Sequence, residues 1–250
     1  MTLWRLLDLE ITYDAARNLA IDEAILQARI KRIAPPTLRF WRNKESVIIG
    51  RSQKVCAEIN LEEVFKKKIQ VIKRFSGGGA VYHDLGNLNY TIVLDEHDPL
   101  VKGLDITESY NVLCSGVIRG LEILGLSSIN FVPPGNIFIS QKKVSGSAQL
   151  RRKNVILHHG TLLINSDLDA LRKVLTVYNE EMKKESTSKW SPVTNISDEL
   201  KREISISEIK DALIQGFKET LHINLNPGNL TREEEEMASE IYHAKYQYLI

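Results

Sequence analysis

The sequence predicts an α+β fold: a mixed, largely antiparallel sheet, or sheets, packed by helices. Three observations carry this expectation. Strand-type and helix-type runs are interspersed, without the regular alternation of a doubly wound parallel fold. Asn136 to Ser140, Lys143 to Leu150 and Asn154 to Asn165 read as three strands in succession, the last strongly apolar. The chain has 250 residues, 43% hydrophobic and 26% charged, which suits one large domain with its own core.

From the N-terminus, Asp14 to Lys31 reads as a helix. Ala16, Leu19, Ala20, Ile25 and Ala28 share roughly one face, and Pro35-Pro36 stops it. Two short β-type runs follow, Thr37 to Trp41 and Ser46 to Gly50. Asn60 is placed to cap a short helix from Leu61 to Lys68. A strand from Gln70 to Phe75 runs into Ser76-Gly77-Gly78-Gly79, and Ala80 to Leu94 is β-rich with a turn around Asp84 to Asn87. Thr107 to Leu124 reads as a helix with Tyr110, Leu113, Val117 and Leu121 inward. Pro133-Pro134-Gly135 is a turn, and Leu168 to Leu175 is a short helix. Thr176 to Ile204 is polar and irregular. Ser207 to Leu221 and Thr231 to Tyr246 are amphipathic helices, and Thr231 with Glu234 forms a capping-box pattern.

Charge and cysteine content exclude several classes. Lys+Arg is 33 and Asp+Glu is 32, a net charge of +1, so no global field favours nucleic acid or an anionic membrane. No apolar run approaches the ~20 residues of a spanning helix. The first ten residues carry acidic side chains and no small-residue cleavage site, unlike a signal peptide. Two cysteines, Cys56 and Cys114, are too few for a disulfide framework and point to a reducing, cytoplasmic location.

Two segments carry chemistry. In Arg74-Phe75-Ser76-Gly77-Gly78-Gly79-Ala80-Val81-Tyr82-His83-Asp84, glycines after a strand let the backbone approach a ligand closely. Successive N–H groups there can cradle an anion, and Arg74 offers a planar cation suited to phosphate or carboxylate. A bare glycine run is more often a hairpin loop, and this one matches neither G-x-x-x-x-G-K-[ST] nor G-x-G-x-x-G. The second segment is Lys142-Lys143-Val144-Ser145-Gly146-Ser147-Ala148. A lysine beside Gly146 can set its ammonium over an anion, although strand lysines are ordinarily solvated. Lys142 and Lys143 alternate faces, so at most one enters a pocket. His158 and His159 likewise project to opposite faces, and no metal-ligand spacing completes a site around them. Glu233 to Glu236 reads as a solvated first turn of the last helix, where negative charge is favourable.

Together the two segments resemble the signature motifs of lipoate–protein ligases. His159-Gly160-Thr161-Leu162-Leu163 and Val193-Thr194-Asn195 match in order and spacing, and the resemblance runs from about Leu3 to Tyr246. It implies a biotin/lipoate-ligase-like catalytic domain over residues 1–250, without the small C-terminal accessory domain many of these ligases carry. It implies activation of lipoate by ATP with Mg²⁺ to lipoyl-adenylate. The lipoyl group then passes to a lysine of an acceptor lipoyl domain, of the 2-oxoacid dehydrogenase E2 type or the glycine-cleavage H type. It makes Lys143 the catalytic residue, bridging carboxyl and phosphate. It assigns substrate and ATP binding to Arg74, Gly77, Gly78, Gly79, Ala80, Val81, Tyr82, His83, Asn136, Lys143 and Gly146. A separate accessory chain, needed mainly for activation, is the partner it suggests; no nucleic acid or membrane is expected. Val47-Ile48-Ile49-Gly50 and Arg51-Ser52-Gln53 are expected as pocket wall and rim.

Rival readings remain open at this stage. Octanoyltransferases share the fold, and one branch uses a cysteine shortly before the lysine motif. Here Pro133 to Ile139 contains none, Cys114 reads as core, and Cys56 lies in the loop after Gly50. The ligases usually carry an Asn-Asp pair at this place; Asn136 fits, and Ile137 departs from it. The G-R-G-R-x-x-R loop of biotin ligases is absent. A non-catalytic lipoate-binding scaffold is the third alternative.

Overall fold

The computed structural model describes residues 2–246. The chain opens with β1 (Thr2–Asp8), α1 (Ala15–Ile30), β2 (Thr37–Trp41) and β3 (Ser46–Ile49). Next come the short α2 (Val55–Glu58) and α3 (Leu61–Lys67), β4 (Gln70–Lys73), β5 (Val81–His83) and β6 (Asn87–Asp95). Helix α4 (Ile106–Ile123) precedes four consecutive strands, β7 (Ile129–Val132), β8 (Asn136–Ile139), β9 (Lys142–Arg152) and β10 (Val155–Leu163). The last part holds α5 (Leu168–Val174), α6 (Ile196–Leu200), α7 (Ile206–Leu221), β11 (Ile223–Pro227) and α8 (Arg232–Ile241).

Caps fix where the helices start. Asp14, Asn60, Asp105, Ser205 and Thr231 each accept a first-turn backbone N–H. Asp105 with Glu108 and Thr231 with Glu234 form reciprocal capping boxes.

The strands form two sheets. One has eight strands in the order β11-β1-β2-β6-β10-β9-β8-β7; the other is β4-β3-β5. Pairing is antiparallel from β2 to β7, while β11-β1, β1-β2 and β3-β4 are parallel. The two-residue period of β6 sorts its side chains. Leu88, Tyr90, Ile92 and Leu94 pack with Leu113 and Val117 of α4 and Leu213 and Phe217 of α7. Val93 faces the opposite layer with Ala20, Ala24 and Ile25 of α1 and Ala238 of α8. Val47, Ile49 and Val71 of the small sheet join Leu171 and Val174 in a third cluster.

Helix α1 is buried on more than the one face its apolar spacing suggests. Its polar residues meet partners rather than water. Arg39, fully buried, donates to the Asp22 carboxylate at 2.5 Å and to the Asn18 carbonyl oxygen at 2.9 Å. Lys245 pairs with Glu23.

Five helices and strands lie outside the sequence reading: β1, the edge strands β7 and β11, the short α2, and α6 within the stretch read as irregular. The last helix ends at Ile241, with a π turn over Tyr242–Tyr246. One expectation is overturned. Glu234 is not part of a solvated face; it is 1% exposed. Its two oxygens accept from Nη1 and Nη2 of Arg5, both at 2.6 Å. Oε2 also accepts the Thr231 N–H that its capping-box position provides. The capping geometry thus aims a carboxylate inward, onto the arginine of β1, and ties α8 to the large sheet. Removing one member of such a buried pair strands the other charge. Glu234→Ala is therefore expected to lower unfolding free energy by about 3–5 kcal/mol in denaturant titration. A loss below ~1 kcal/mol would mean the pair does not hold α8 in place.

Candidate active site

Strands β3 and β4 end side by side, and the glycine loop leaves from their ends. The Arg74 backbone N–H donates to the Ile49 carbonyl at 2.9 Å, and the Arg51 N–H donates to that of Ser76 at 2.9 Å. The Arg74 side chain then turns into the loop it begins. Nη2 donates to the carbonyls of Gly77 (2.6 Å) and Gly79 (2.8 Å), Nη1 to that of Ile48 (3.1 Å) and Nε to Ser76 Oγ (3.1 Å). In a trans peptide the N–H lies opposite the carbonyl. Drawing the Gly77 and Gly79 carbonyls onto the guanidinium therefore turns the Gly78 and Ala80 N–H groups away from it. Gly78 has φ +90°, and a Cβ there would sit 2.8 Å from Arg74 Nη2, so both conformation and space require glycine. Burial draws the Arg74 pKa down to about 10, which leaves it charged at neutral pH.

A second chain of contacts supports the loop from below. Ser76 Oγ and His159 Nε2 are 2.6 Å apart, and His159 Nδ1 lies 3.5 Å from the Asp22 carboxylate. Asp22 also accepts from Arg39 and, at 2.7 Å, from Thr91 Oγ1. The glycine loop is thereby tied to α1 and to the centre of the large sheet.

Lys143 enters from β9. Phe138 pairs with Lys143 while Ile137 pairs with Ser145, so one extra residue is inserted at Val144. The bulge shifts the alternation of side chains. Lys143 and Gly146, rather than Lys143 and Ser145, come together: a Cβ on Gly146 would lie 2.9 Å from both Cε and Nζ of Lys143. Val144 instead joins the α4 and α7 core. Beyond the reach of β10, the start of β9 pairs with a later segment. The Lys143 N–H donates to the Pro192 carbonyl at 2.7 Å, and the Thr194 N–H donates to that of Lys143 at 3.1 Å. Among the described residues no acceptor lies within hydrogen-bonding distance of Nζ. Burial without a counter-ion lowers its pKa to about 8. Lys142 points away and pairs with Glu199.

These parts face a cavity of about 540 Å³ between the two sheets. That volume lies within the range of small-molecule sites. Arg74, Gly78, Gly79, Ala80, Val81, Tyr82, His83, Asn136, Lys143 and Gly146 all line it. Of the sequence-derived site residues, Gly77 does not; its carbonyl is turned onto Arg74. Leu19, Trp41, Ile48, Leu171 and Val177 supply apolar lining. Of the expected wall and rim, Ile48, Ser52 and Gln53 line the cavity, whereas Val47 and Ile49 face the third cluster. His83 is bonded to Asn43 and Thr161, and burial, with Arg74 and His159 nearby, pulls its pKa down to about 3. It is a neutral part of the wall. No carboxylate is among the described lining residues, so the charged side chains that line the cavity are all cations. Nor do described residues gather three metal-ligating side chains anywhere. The donor set does not build a Mg²⁺ site, and no step below is routed through the ion.

Neither cysteine reaches the cavity. Cys56 is exposed on α2. Cys114 is buried on α4, 3.6 Å from Ser147 Oγ, and burial pushes its thiol up to about 11. His158 and His159 do project to opposite faces, the first onto Tyr90 and the second onto Ser76. Ile137 is fully buried with the α4 core, so no acidic side chain stands beside Asn136 at that position.

Sequence reasoning missed one wall altogether. Val177, Tyr178, Thr187, Ser188, Lys189, Ser191 and Val193 come from the stretch read as irregular, and they line the cavity. Val193-Thr194-Asn195 was the available signal, since it lies within that stretch and Val193 bridges to Lys143.

The comparisons with known proteins agree with this geometry. The family model described as lipoyl protein ligase A/B catalytic domain matches residues 14–218. The chain is 38% identical to lipoate-protein ligase A subunit 1 of Thermoplasma acidophilum, over 97% of this chain and 93% of that protein. It is 33% identical to the octanoyltransferase LipM of Brevibacillus brevis, over 98% of this chain and 97% of that one. The crystal structure of a lipoate-protein ligase A bound with ATP superposes with a TM-score of 0.84 at 36% identity, covering 98% of this chain and 96% of that one. The mixed α+β architecture is thus that of the lipoate ligases, and the chain belongs to the lipoyl protein ligase A/B catalytic-domain family.

Proposed function

We propose that this chain is a lipoate–protein ligase that activates lipoate with ATP and passes the lipoyl group to a lysine of an acceptor lipoyl domain. One observation carries the choice within the family. A lysine ammonium without a counter-ion stands beside an amide-bearing loop, in a cavity that no described cysteine lines. That arrangement serves two anions meeting; it offers no thiolate to take an acyl group from a thioester. The similarity to a ligase subunit and to an ATP-bound ligase supports the same reading. The similarity to an octanoyltransferase makes acyl transfer from a carrier protein the alternative.

In the first step a carboxylate oxygen of lipoate attacks the α-phosphorus of ATP. A C–O–P anhydride forms and pyrophosphate leaves. Negative charge on the reacting phosphoryl oxygens is greatest in the transition state, and Lys143 with the outward Gly78 N–H of the glycine loop would meet it there. The aliphatic chain would lie against Leu19, Trp41 and Ile48. In the second step the acceptor's neutral lysine amine attacks the anhydride carbonyl, AMP leaves with the bonding pair, and the amine's surplus proton passes to solvent. The protein then needs no nucleophile of its own. Because a relative is a subunit 1, we further propose that a separate chain assists activation.

Three outcomes are expected, each read as lipoate-dependent pyrophosphate release from ATP with any accessory chain supplied. Lys143→Ala loses about 10²–10³-fold; an unchanged rate would remove Lys143 from the mechanism. The charged ammonium is the working form, and it is lost as pH rises through about 8. kcat/KM is therefore expected to fall on the alkaline side with a limb near that pH, moved upward in kcat because bound anions favour the charged form. A flat profile from pH 7 to 9 would contradict this. Gly146→Ala puts a methyl 2.9 Å from Nζ, too close for the lysine end to stay where it is. The flexible lysine end moves aside readily, so the melting temperature should stay within ~2 °C while turnover drops about 10-fold or more. Wild-type turnover would show that the ammonium need not sit over Gly146.

A further inference from the structure

The stretch from Ser186 to Ser188 has no regular secondary structure, yet Thr187 and Ser188 form part of the cavity wall. One carboxylate holds it. Glu58, the last residue of α2, is 1% exposed. Its Oε1 accepts from the Thr187 N–H and Thr187 Oγ1, both at 2.7 Å. Its Oε2 accepts from Ser186 Oγ at 2.8 Å and Ser188 Oγ at 2.6 Å. Burial by itself would raise this carboxyl's pKa, but the bonds from Ser188, Thr187 and Ser186 outweigh it and hold the group below the ordinary glutamate value. Four donors converge on an acceptor-only group with about four lone-pair sites, so its capacity is filled.

The filled carboxylate dictates what Ser188 does next. A hydroxyl has one hydrogen, and that of Ser188 goes to Glu58. Its lone pairs are left to accept from the Ala80 N–H at 3.0 Å and from Gln53 Nε2 at 3.1 Å. Gln53 Oε1 in turn accepts the Gly50 N–H at 2.9 Å. A Cβ on Gly79 would lie 3.0 Å from Ser188 Oγ, so the loop and the hydroxyl are in close contact. Arg74 grips the glycine loop by its carbonyls on one side, and Ser188 takes an N–H on the other.

We propose that Glu58 is a positioning residue of the active site. By fixing the direction of the Ser188 hydroxyl it sets the Gly79–Ala80 peptide and the 186–188 wall against each other, where the ligand's phosphate is to bind. Glu58 itself does not line the cavity. The proposal rests on reading the glycine loop as the phosphate cradle.

The test uses Glu58→Gln and Ser188→Ala in the full chain. Glutamine keeps the shape of Glu58 but turns one acceptor atom into a donor, which frees the Ser188 hydrogen and misaligns the oxygen facing Ala80. The apparent KM for Mg-ATP is expected to rise about 10-fold or more in both variants, with the KM for lipoate and kcat within about 3-fold. Trypsin supplies a readout independent of turnover, because Lys183, Lys184 and Lys189 lie around the anchored turn. In the ligand-free protein Glu58→Gln should be cut there about 5-fold faster or more, as local opening becomes easier. Faster cleavage with an unchanged KM for Mg-ATP would make Glu58 a loop anchor only and overturn the proposal. So would unchanged cleavage. A wild-type chain without ATP-dependent turnover even with an accessory chain supplied would overturn the underlying reading instead, and the cleavage result would still decide whether Glu58 orders the wall.

Discussion

An ammonium group in a cavity without a counter-ion is the constraint around which this molecule is arranged. Lowering a lysine pKa from its ordinary 10.5 to about 8 corresponds to a cost on the order of 3 kcal/mol for holding the charge at neutral pH. Among the described residues nothing offsets that cost, so the site is poised for an anion to do so. Everything near it preserves the condition. Carboxylates are absent from the described lining residues. Asp22, which supports the glycine loop through His159, is engaged by Arg39, Thr91 and His159. The second buried cation, Arg74, is satisfied by carbonyls, so it shapes the loop without neutralising a ligand's partner.

The fold supplies this arrangement by bringing residues of two sheets around one cavity. The small sheet delivers the glycine loop from the ends of β3 and β4; the large sheet delivers Lys143 through a bulge in β9. A bulge is the economical way to turn one side chain to the other face of a strand that must otherwise keep Val144 in the core. The remaining wall is irregular backbone, and irregular backbone needs side-chain acceptors to hold it. Glu58 fills that role for 186–188, and Tyr178 Oη, donating to the Ser191 carbonyl at 3.0 Å, does so further along.

Much of this was legible in the sequence because it rests on local rules. Asp14, Asn60 and Thr231 cap where spacing and side-chain chemistry place them. The glycine run and Lys143-Val144-Ser145-Gly146 are long enough to identify a family and to name one part of the cavity lining. What escaped depends on partners distant in the chain. Strands β1 and β11 are parallel neighbours more than 200 residues apart, as Thr2 opposite Ile223 shows, and no local pattern announces such a pair. Glu234 looked like one of four solvated glutamates until Arg5, at the other end of the sequence, met it. Glu58 and Ser188 are separated by 130 positions, and a serine-rich polar stretch gives no hint that one carboxylate organises it.

The family includes ligases and acyltransferases of similar sequence, so the source of the acyl group is where the account is most exposed. The direct measurement is intact mass of an acceptor lipoyl domain after incubation with the purified chain under three supplies. These are lipoate with Mg-ATP, pre-formed lipoyl-adenylate, and octanoyl carrier protein without ATP. The account expects modification from the adenylate, from ATP once any accessory chain is present, and none from the carrier protein. Modification from the carrier protein alone would contradict it and return attention to the cysteines.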